Sequence, residues 1–165
     1  MRSFKLKIPS FFDIVKKSAK NGLQRHHLSY NTWVGKHFIV KNNIKQGYKN
    51  IILKLLEDKQ LKEKGYIFRK IKITYEVYFK SKTGDLMNLV SIIDKMALDS
   101  IVEYGIIEDD NHIIVPLYDK IVVKGYDKEK NGYMIMYIEE LPYTIQDNVL
   151  PFKKKDLKWY YHYQQ

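Results

Sequence analysis

Residues 69–105 read RKIKITYEVYFKSKTGDLMNLVSIIDKMALDSIVEYG. Their periodicity changes once, and that change decides the fold. From Arg69 to Lys80 apolar and polar residues alternate, and the apolar ones are mostly β-branched or aromatic, so this part reads as a strand. Lys82-Thr83-Gly84 is a turn. From Leu86 to Tyr104 the spacing becomes helical, with Gly105 placed to close the helix. A strand followed directly by a helix is the building unit of a layered α/β or α+β domain.

The flanks extend this pattern. Phe4 to Ile8 alternates strictly and stops at Pro9, which predicts an opening strand. Ser10 to Asn31 is basic and weakly periodic; the expectation there is a short helix over Phe11–Ser18, then a loop holding Gly22, Arg25, His26 and His27. Trp33 to Lys64 predicts one long helix. Ile44, Tyr48, Ile51, Ile52, Leu55 and Leu56 fall on its apolar face, Lys41, Lys45, Lys49 and Lys54 cover the rest, and Gly65 caps it. Ile113–Lys124 and Tyr133–Glu140 predict two strands forming a hairpin around an Asp127–Gly132 turn. The expected architecture is therefore α/β (α+β): a small mixed β-sheet in β-α-β-α-β-β order, with both helices packed on one face. One domain spans residues 1–141, and residues 142–165 form a basic, aromatic tail or arm.

Charge is unevenly distributed along the chain. Its 165 residues carry a net +10, yet residues 1–82 hold +15, residues 83–148 hold −8 and residues 149–165 hold +3. A basic body around an acidic segment argues against an ordinary metabolite enzyme and for a polyanion-binding surface with carboxylates set into it. There is no cysteine, which excludes disulfides, thiol nucleophiles and Cys-based zinc sites. The histidines have no ligand-like spacing. MRSFKLKIPSFF is too interrupted by lysine for a signal peptide, and no apolar run approaches a membrane span, so the expected location is the cytoplasm.

The chemistry is expected between Asp85 and Asp110. On a helix, Asn88, Lys95 and Asp99 lie within about 40° of one another. Most of the remaining helix positions are apolar, so this polar line must be paired, hydrated or bound to a ligand. Each member also has a plain structural role open to it. Asp85 suits a helix N-cap, Lys95 and Asp99 an i,i+4 ion pair, and Asp109-Asp110-Asn111 a solvated turn. The chemical use for such a cluster is Mg²⁺, which binds through one or two carboxylates together with phosphate and water, and which needs a basic surround to admit DNA. Arg25, Asn31, Trp33, Lys36 and Lys41 are the expected nucleic-acid contacts, set in the basic stretch before and within the long helix.

The pattern Asp85-x-x-Asn88, Lys95, Asp99, Gly105, Glu108-Asp109-Asp110 resembles the RusA family of Holliday-junction resolvases. So do Ile8-Pro9 after the first strand and Ser29-Tyr30-Asn31-Thr32-Trp33 before the basic helix. The resemblance covers roughly residues 3 to 141 and is sharpest from Asp85 to Asn111. It implies a small α/β homodimer that nicks four-way DNA junctions symmetrically with Mg²⁺, in recombination and repair. Carried over by position, Asp85 and Asp110, with Asp109 beside them, would hold the metal. Lys95 would be the catalytic lysine and Asp99 a supporting carboxylate. Met87 stands where the family motif has its second Asp, and the Asp85–Lys95 stretch is about one helical turn longer. The alternative implied by Met87 is a catalytically impaired junction-binding protein on the same fold.

Overall fold

The computed structural model describes residues 1–15, 22–129 and 131–142. The proposed tail from residue 143 onward, and the end of the helix expected at Phe11–Ser18, lie outside the described residues. The elements are strands β1 (Ser3–Pro9), β2 (Phe11–Val15) and β3 (Leu23–His27), helices α1 (Tyr30–Val34) and α2 (Phe38–Glu57), strand β4 (Ile71–Phe79), helix α3 (Leu86–Tyr104), and strands β5 (Leu117–Tyr126) and β6 (Tyr133–Glu140). The protein is mixed α+β. A four-stranded sheet of order β1-β6-β4-β5 carries the helices, and β2-β3 forms a separate two-stranded ribbon.

Three sequence expectations are corrected. Phe11–Val15 is a strand, not the start of a helix, and Arg25, His26 and His27, expected in a loop, lie on the strand β3 that pairs with it. Its aromatic and β-branched residues favour extended backbone, and β3 supplies facing partners. Asp13 opposes Arg25 in a bidentate ion pair, both bonds 2.9 Å long, and Phe12 stacks on His26. The long helix is broken: α1 ends at Gly35 and α2 begins after His37, whose extended backbone marks a new N-cap. α2 then stops at Glu57, so Gly65, at φ +70°, closes a following turn instead of the helix itself.

The third correction concerns the sheet. β5 and β6 are not a hairpin, because β4 lies between them, parallel to β5 and antiparallel to β6. Burial explains the order. β4 is buried along most of its length and takes the sheet's interior, whereas β5 is largely exposed and takes an edge. The β5–β6 connection therefore passes over the end of β4, where the Asp127 amide donates to the Phe79 carbonyl at 2.8 Å. The Asp127 carboxylate accepts from the amides of Glu129, Asn131 and Gly132 and holds that connection in shape. Gly132 is required there: at φ +78°, a Cβ would lie 2.6 Å from the Ser10 hydroxyl.

One face of the sheet is the core. Cross-strand rows Ile8–Met134–Val77 and Leu6–Met136–Tyr75 are fully buried. They join Ile44, Tyr48, Ile52 and Leu56 of α2 and the apolar side of α3 in one hydrophobic cluster. The α2 residues repeat every fourth position, the spacing that keeps side chains on one helix face. Tyr48 is buried with its hydroxyl satisfied by the Pro9 carbonyl. Among the described residues no helix is long and apolar enough to cross a membrane.

Candidate functional site

α3 begins and ends where its sequence dictates. Asp85 is its N-cap: one carboxylate oxygen accepts from the Asn88 amide at 3.1 Å and the other from the Asn88 side chain at 2.7 Å. Gly84 lets this turn lie on the core, because a Cβ there would sit 2.1 Å from the Phe79 ring. Gly105 closes the helix in the left-handed conformation, φ +82°, with its amide directed at the Ile101 and Val102 carbonyls. Met87 points outward and is well exposed.

The polar line on α3 divides into different tasks. Lys95 is exposed, with its ammonium 3.9 Å from Asp99. Asp99 is held more closely by Lys45 of α2, at 2.6 Å, and one turn further on Glu103 pairs with Lys49. Asp99 thus belongs to an ionic ladder between α2 and α3. Asp109 shapes its own turn, accepting from the Asp110 amide at 2.8 Å and from the Asn111 side chain at 2.6 Å. Asn111 in turn accepts from the Ile113 amide at 2.9 Å and the Ile114 amide at 3.3 Å. The loop is pinned on both sides by Phe68 N–Ile106 O (2.8 Å) and Ile71 N–Ile114 O (2.7 Å), so Asp110 is held at a fixed place on the surface.

Asp94, absent from the sequence-based candidates, is the carboxylate the fold treats most unusually. It lies on α3 next to Lys95 and accepts hydrogen bonds from two tyrosines: Tyr75 of β4 on one oxygen, and Tyr118 of β5, at 3.0 Å, on the other. Burial pushes its pKa above the ordinary carboxylate value. Asp110 adds to that rise by repulsion, while the two hydroxyls and Lys95 oppose it. Tyr118 is pushed well up as well, first by burial, then by the charge of Asp94, with a smaller push from Asp110. Asp94, Lys95, Asp110 and Tyr118 are therefore one electrostatic cluster. The signal for it was present in the sequence: an acidic residue at the border of an apolar helix face, with tyrosines on two neighbouring strands. Only the strand order shows that those tyrosines meet it.

Asp85 stands apart from this cluster. It caps the helix nine residues before Asp94, about 14 Å along the axis at 1.5 Å per residue. Asp109 and Asp110 follow the opposite end. Among the described residues no group of three or more Asp, Glu or His could hold a metal ion. The carboxylate whose charge reaches Asp94 is Asp110, which adds to the rise that burial imposes on the Asp94 pKa.

The expected nucleic-acid contacts also separate. Asn31 is exposed on α1, and Lys36 lies between α1 and α2. Trp33 is half-buried against the core, with the Lys41 ammonium 5.4 Å from its ring centre. These four form a basic corner, and α1 packs on α3. Exposed Phe38 and Ile39 share that corner. Arg25 has a different occupation. Its guanidinium is shared between Asp13 and Asn131, at 2.6 Å from the latter, and covers the Phe11 ring. It ties the β2–β3 ribbon to the β5–β6 connection. Comparison with protein-family models and with curated proteins finds no match for this chain.

Proposed function

We propose that the protein is a Mg²⁺-dependent, structure-specific endodeoxyribonuclease of RusA type, resolving four-way DNA junctions by paired nicks as a two-fold dimer. The observation that carries this reading is the half-buried Asp94 carboxylate, held by the Tyr75 and Tyr118 hydroxyls beside Lys95 and within reach of the Asp110 charge, on a helix that adjoins the basic α1–α2 corner. Asp94 and Asp110 would hold the metal, which when bound neutralises phosphodiester charge and activates a water. Tyr75 and Tyr118 orient the Asp94 carboxylate through its two oxygens. Lys95, exposed and only loosely paired with Asp99, is free to swing toward a scissile phosphate and offset its developing negative charge. Asn31, Lys36 and Lys41 supply sequence-independent grip on the backbone. A two-fold dimer suits paired nicks, because its symmetry matches that of the junction.

A second reading is a junction-binding protein that does not cut. It is favoured by Met87 where the family motif carries an acid, and by Asp85 and Asp94, whose carboxylate oxygens are all engaged, by Asn88 and by the Tyr75 and Tyr118 hydroxyls respectively. Incubation of a synthetic four-way junction with the protein, with Mg²⁺ or with EDTA, separates the two readings. Mg²⁺-dependent paired nicks that disappear in Asp110→Asn and Asp94→Asn support the nuclease. Tight binding without nicking supports the second reading, and equal cleavage by all three proteins overturns the assignment of the site.

A further inference from the structure

The corner formed by α1 and the first turn of α2 shows apolar side chains that the core does not use. Phe38 is 71% exposed and Ile39 53%. Val40 continues the buried row Ile44–Tyr48–Ile52–Leu56 one turn back, yet it is exposed as well. The buried face of α2 therefore ends at Ile44, and its first turn stands clear of the core. Tyr30 and Val34, about one turn apart on α1, are also exposed. The ion pairs between α2 and α3 fix where this corner lies. Lys45–Asp99 and Lys49–Glu103 advance together by four residues, so the two helices run parallel with a constant offset. One turn back from the first pair, Lys41 is level with Lys95, and Phe38 in turn is level with Ile92. The apolar corner thus stands beside the stretch of α3 that carries Asp94 and Lys95.

Charge selects the occupant. No Asp or Glu occurs between Asp13 and Glu57, and Lys36 and Lys41 border the apolar residues. The carboxylates of α3 have other partners: Asn88 engages Asp85, Tyr75 and Tyr118 engage Asp94, and Lys45 engages Asp99. A second copy docking corner to corner would oppose lysine to lysine with no acid between them. A DNA backbone satisfies the lysines, and the place of the corner beside Lys95 ties it to the DNA of the nuclease reading. An intact duplex, however, offers nothing to Phe38 and Ile39, because each of its base faces is stacked on the next. At a branch point that stacking is interrupted and base faces are uncovered. Aromatic rings stack on such faces, and Phe and Ile are among the apolar wedges that proteins insert at unstacked base steps.

We infer that Phe38 and Ile39 form an apolar wedge that docks on base faces uncovered at a DNA branch point, with Lys36 and Lys41 on the flanking phosphates, and that this wedge makes the protein prefer branched DNA to duplex. The inference rests on the DNA-binding half of the nuclease reading and not on cleavage. The test is fluorescence anisotropy of the full chain in EDTA, with a labelled synthetic four-way junction and with a duplex of the same arm sequence at the same salt. The parent should prefer the junction. Phe38→Ala should weaken junction binding about tenfold, since stacking on a base is lost, and leave duplex binding unchanged. Ile39→Ser should weaken junction binding severalfold with the same selectivity. 2-Aminopurine placed at the branch point should brighten when the parent binds and stay dim with Phe38→Ala. Both positions are exposed, so neither substitution opens the core. A junction-to-duplex ratio unchanged in both variants overturns the inference, as does a parent with no preference. So does a parent dimer that both variants dissociate, or parent binding to phosphatidylserine vesicles that both variants abolish, because the corner would then belong to a second copy or to a membrane. Selective loss of junction binding with no Mg²⁺-dependent nicking by the parent removes the nuclease reading and leaves the wedge. Nicking that persists in variants with unchanged preference removes the wedge alone.

Discussion

Tyr118 donates its hydroxyl to Asp94 at 3.0 Å, joining an edge strand to the middle of a core helix through a carboxylate. Burial raises the Asp94 pKa, and Asp110 raises it further. A carboxyl with a raised folded-state pKa binds its proton more tightly in the folded chain than in the unfolded one. Its contribution to stability is therefore complete at pH below the unfolded value and is lost as pH climbs through the folded value. At neutral pH in EDTA, Asp94→Asn should modestly stabilise the protein, because a partly buried charge is removed while the tyrosine hydroxyls keep a polar partner. The gain should vanish in acid, where Asp94 itself is protonated. Urea unfolding of both proteins at the two pH values measures this. A gain independent of pH would mean that Asp94 carries no electrostatic stress.

Asp85 separates helix capping from the proposed metal site. Asp85→Ala removes the acceptor for the Asn88 amide and should cost about 1 kcal/mol. Asp85→Asn and Asp85→Ser keep an acceptor and should cost only a few tenths of that. All three should retain Mg²⁺-dependent nicking of a four-way junction, since Asp85 lies more than two helical turns from Asp94. Loss of nicking in Asp85→Asn with unaltered stability would return Asp85 to the metal site.

How much of this was legible in the sequence follows from the range of each interaction. α3 was readable end to end, because its cap, its apolar spacing and its closing glycine are local and agree with one another. The order of the main strands and long helices along the chain was readable for the same reason. Strand neighbours were not. β5 and β6 are separated by a short turn-rich connection and look like a hairpin, but the burial of β4 along most of its length places it between them. The same non-local pairing hid Asp94. Nothing within a few residues of it announces Tyr75 and Tyr118, whereas Asp85 and Asp99 stood out in the sequence and prove to have structural partners in Asn88 and Lys45.

Gly105 makes a direct test of the α3 terminus. Its φ of +82° is unfavourable for any residue with a Cβ, although the nearest atom to such a Cβ, Lys62 Cε at 3.6 Å, leaves room for it. The cost of Gly105→Ala should therefore be conformational, about 1 kcal/mol, without steric repacking. The Ile106 amide, which bonds back to the Ile101 carbonyl at 3.1 Å, should exchange its hydrogen faster in the variant. A variant as stable as the parent would show that the terminus can relax into an ordinary helical conformation.

The basic surface yields a contrast between Lys36 and Arg25. A cation that neutralises a DNA phosphate releases a condensed counterion, so each contact adds about 0.9 to the slope of log affinity against log salt on duplex DNA. Lys36 lies on the corner beside Asn31 and Lys41, and Lys36→Gln should reduce the slope on duplex-armed junctions by about that amount while leaving stability unchanged. Arg25 is ion-paired with Asp13, hydrogen-bonded to Asn131 and stacked on Phe11. Its charge is already compensated, so Arg25→Gln should leave the slope nearly unchanged. Instead it should loosen the β2–β3 ribbon and lower stability slightly, as loss of an exposed ion pair does. Anisotropy titrations across a series of salt concentrations, paired with urea melts, measure both quantities. Equal loss of slope in the two variants would mean that Arg25 leaves Asp13 to reach the DNA.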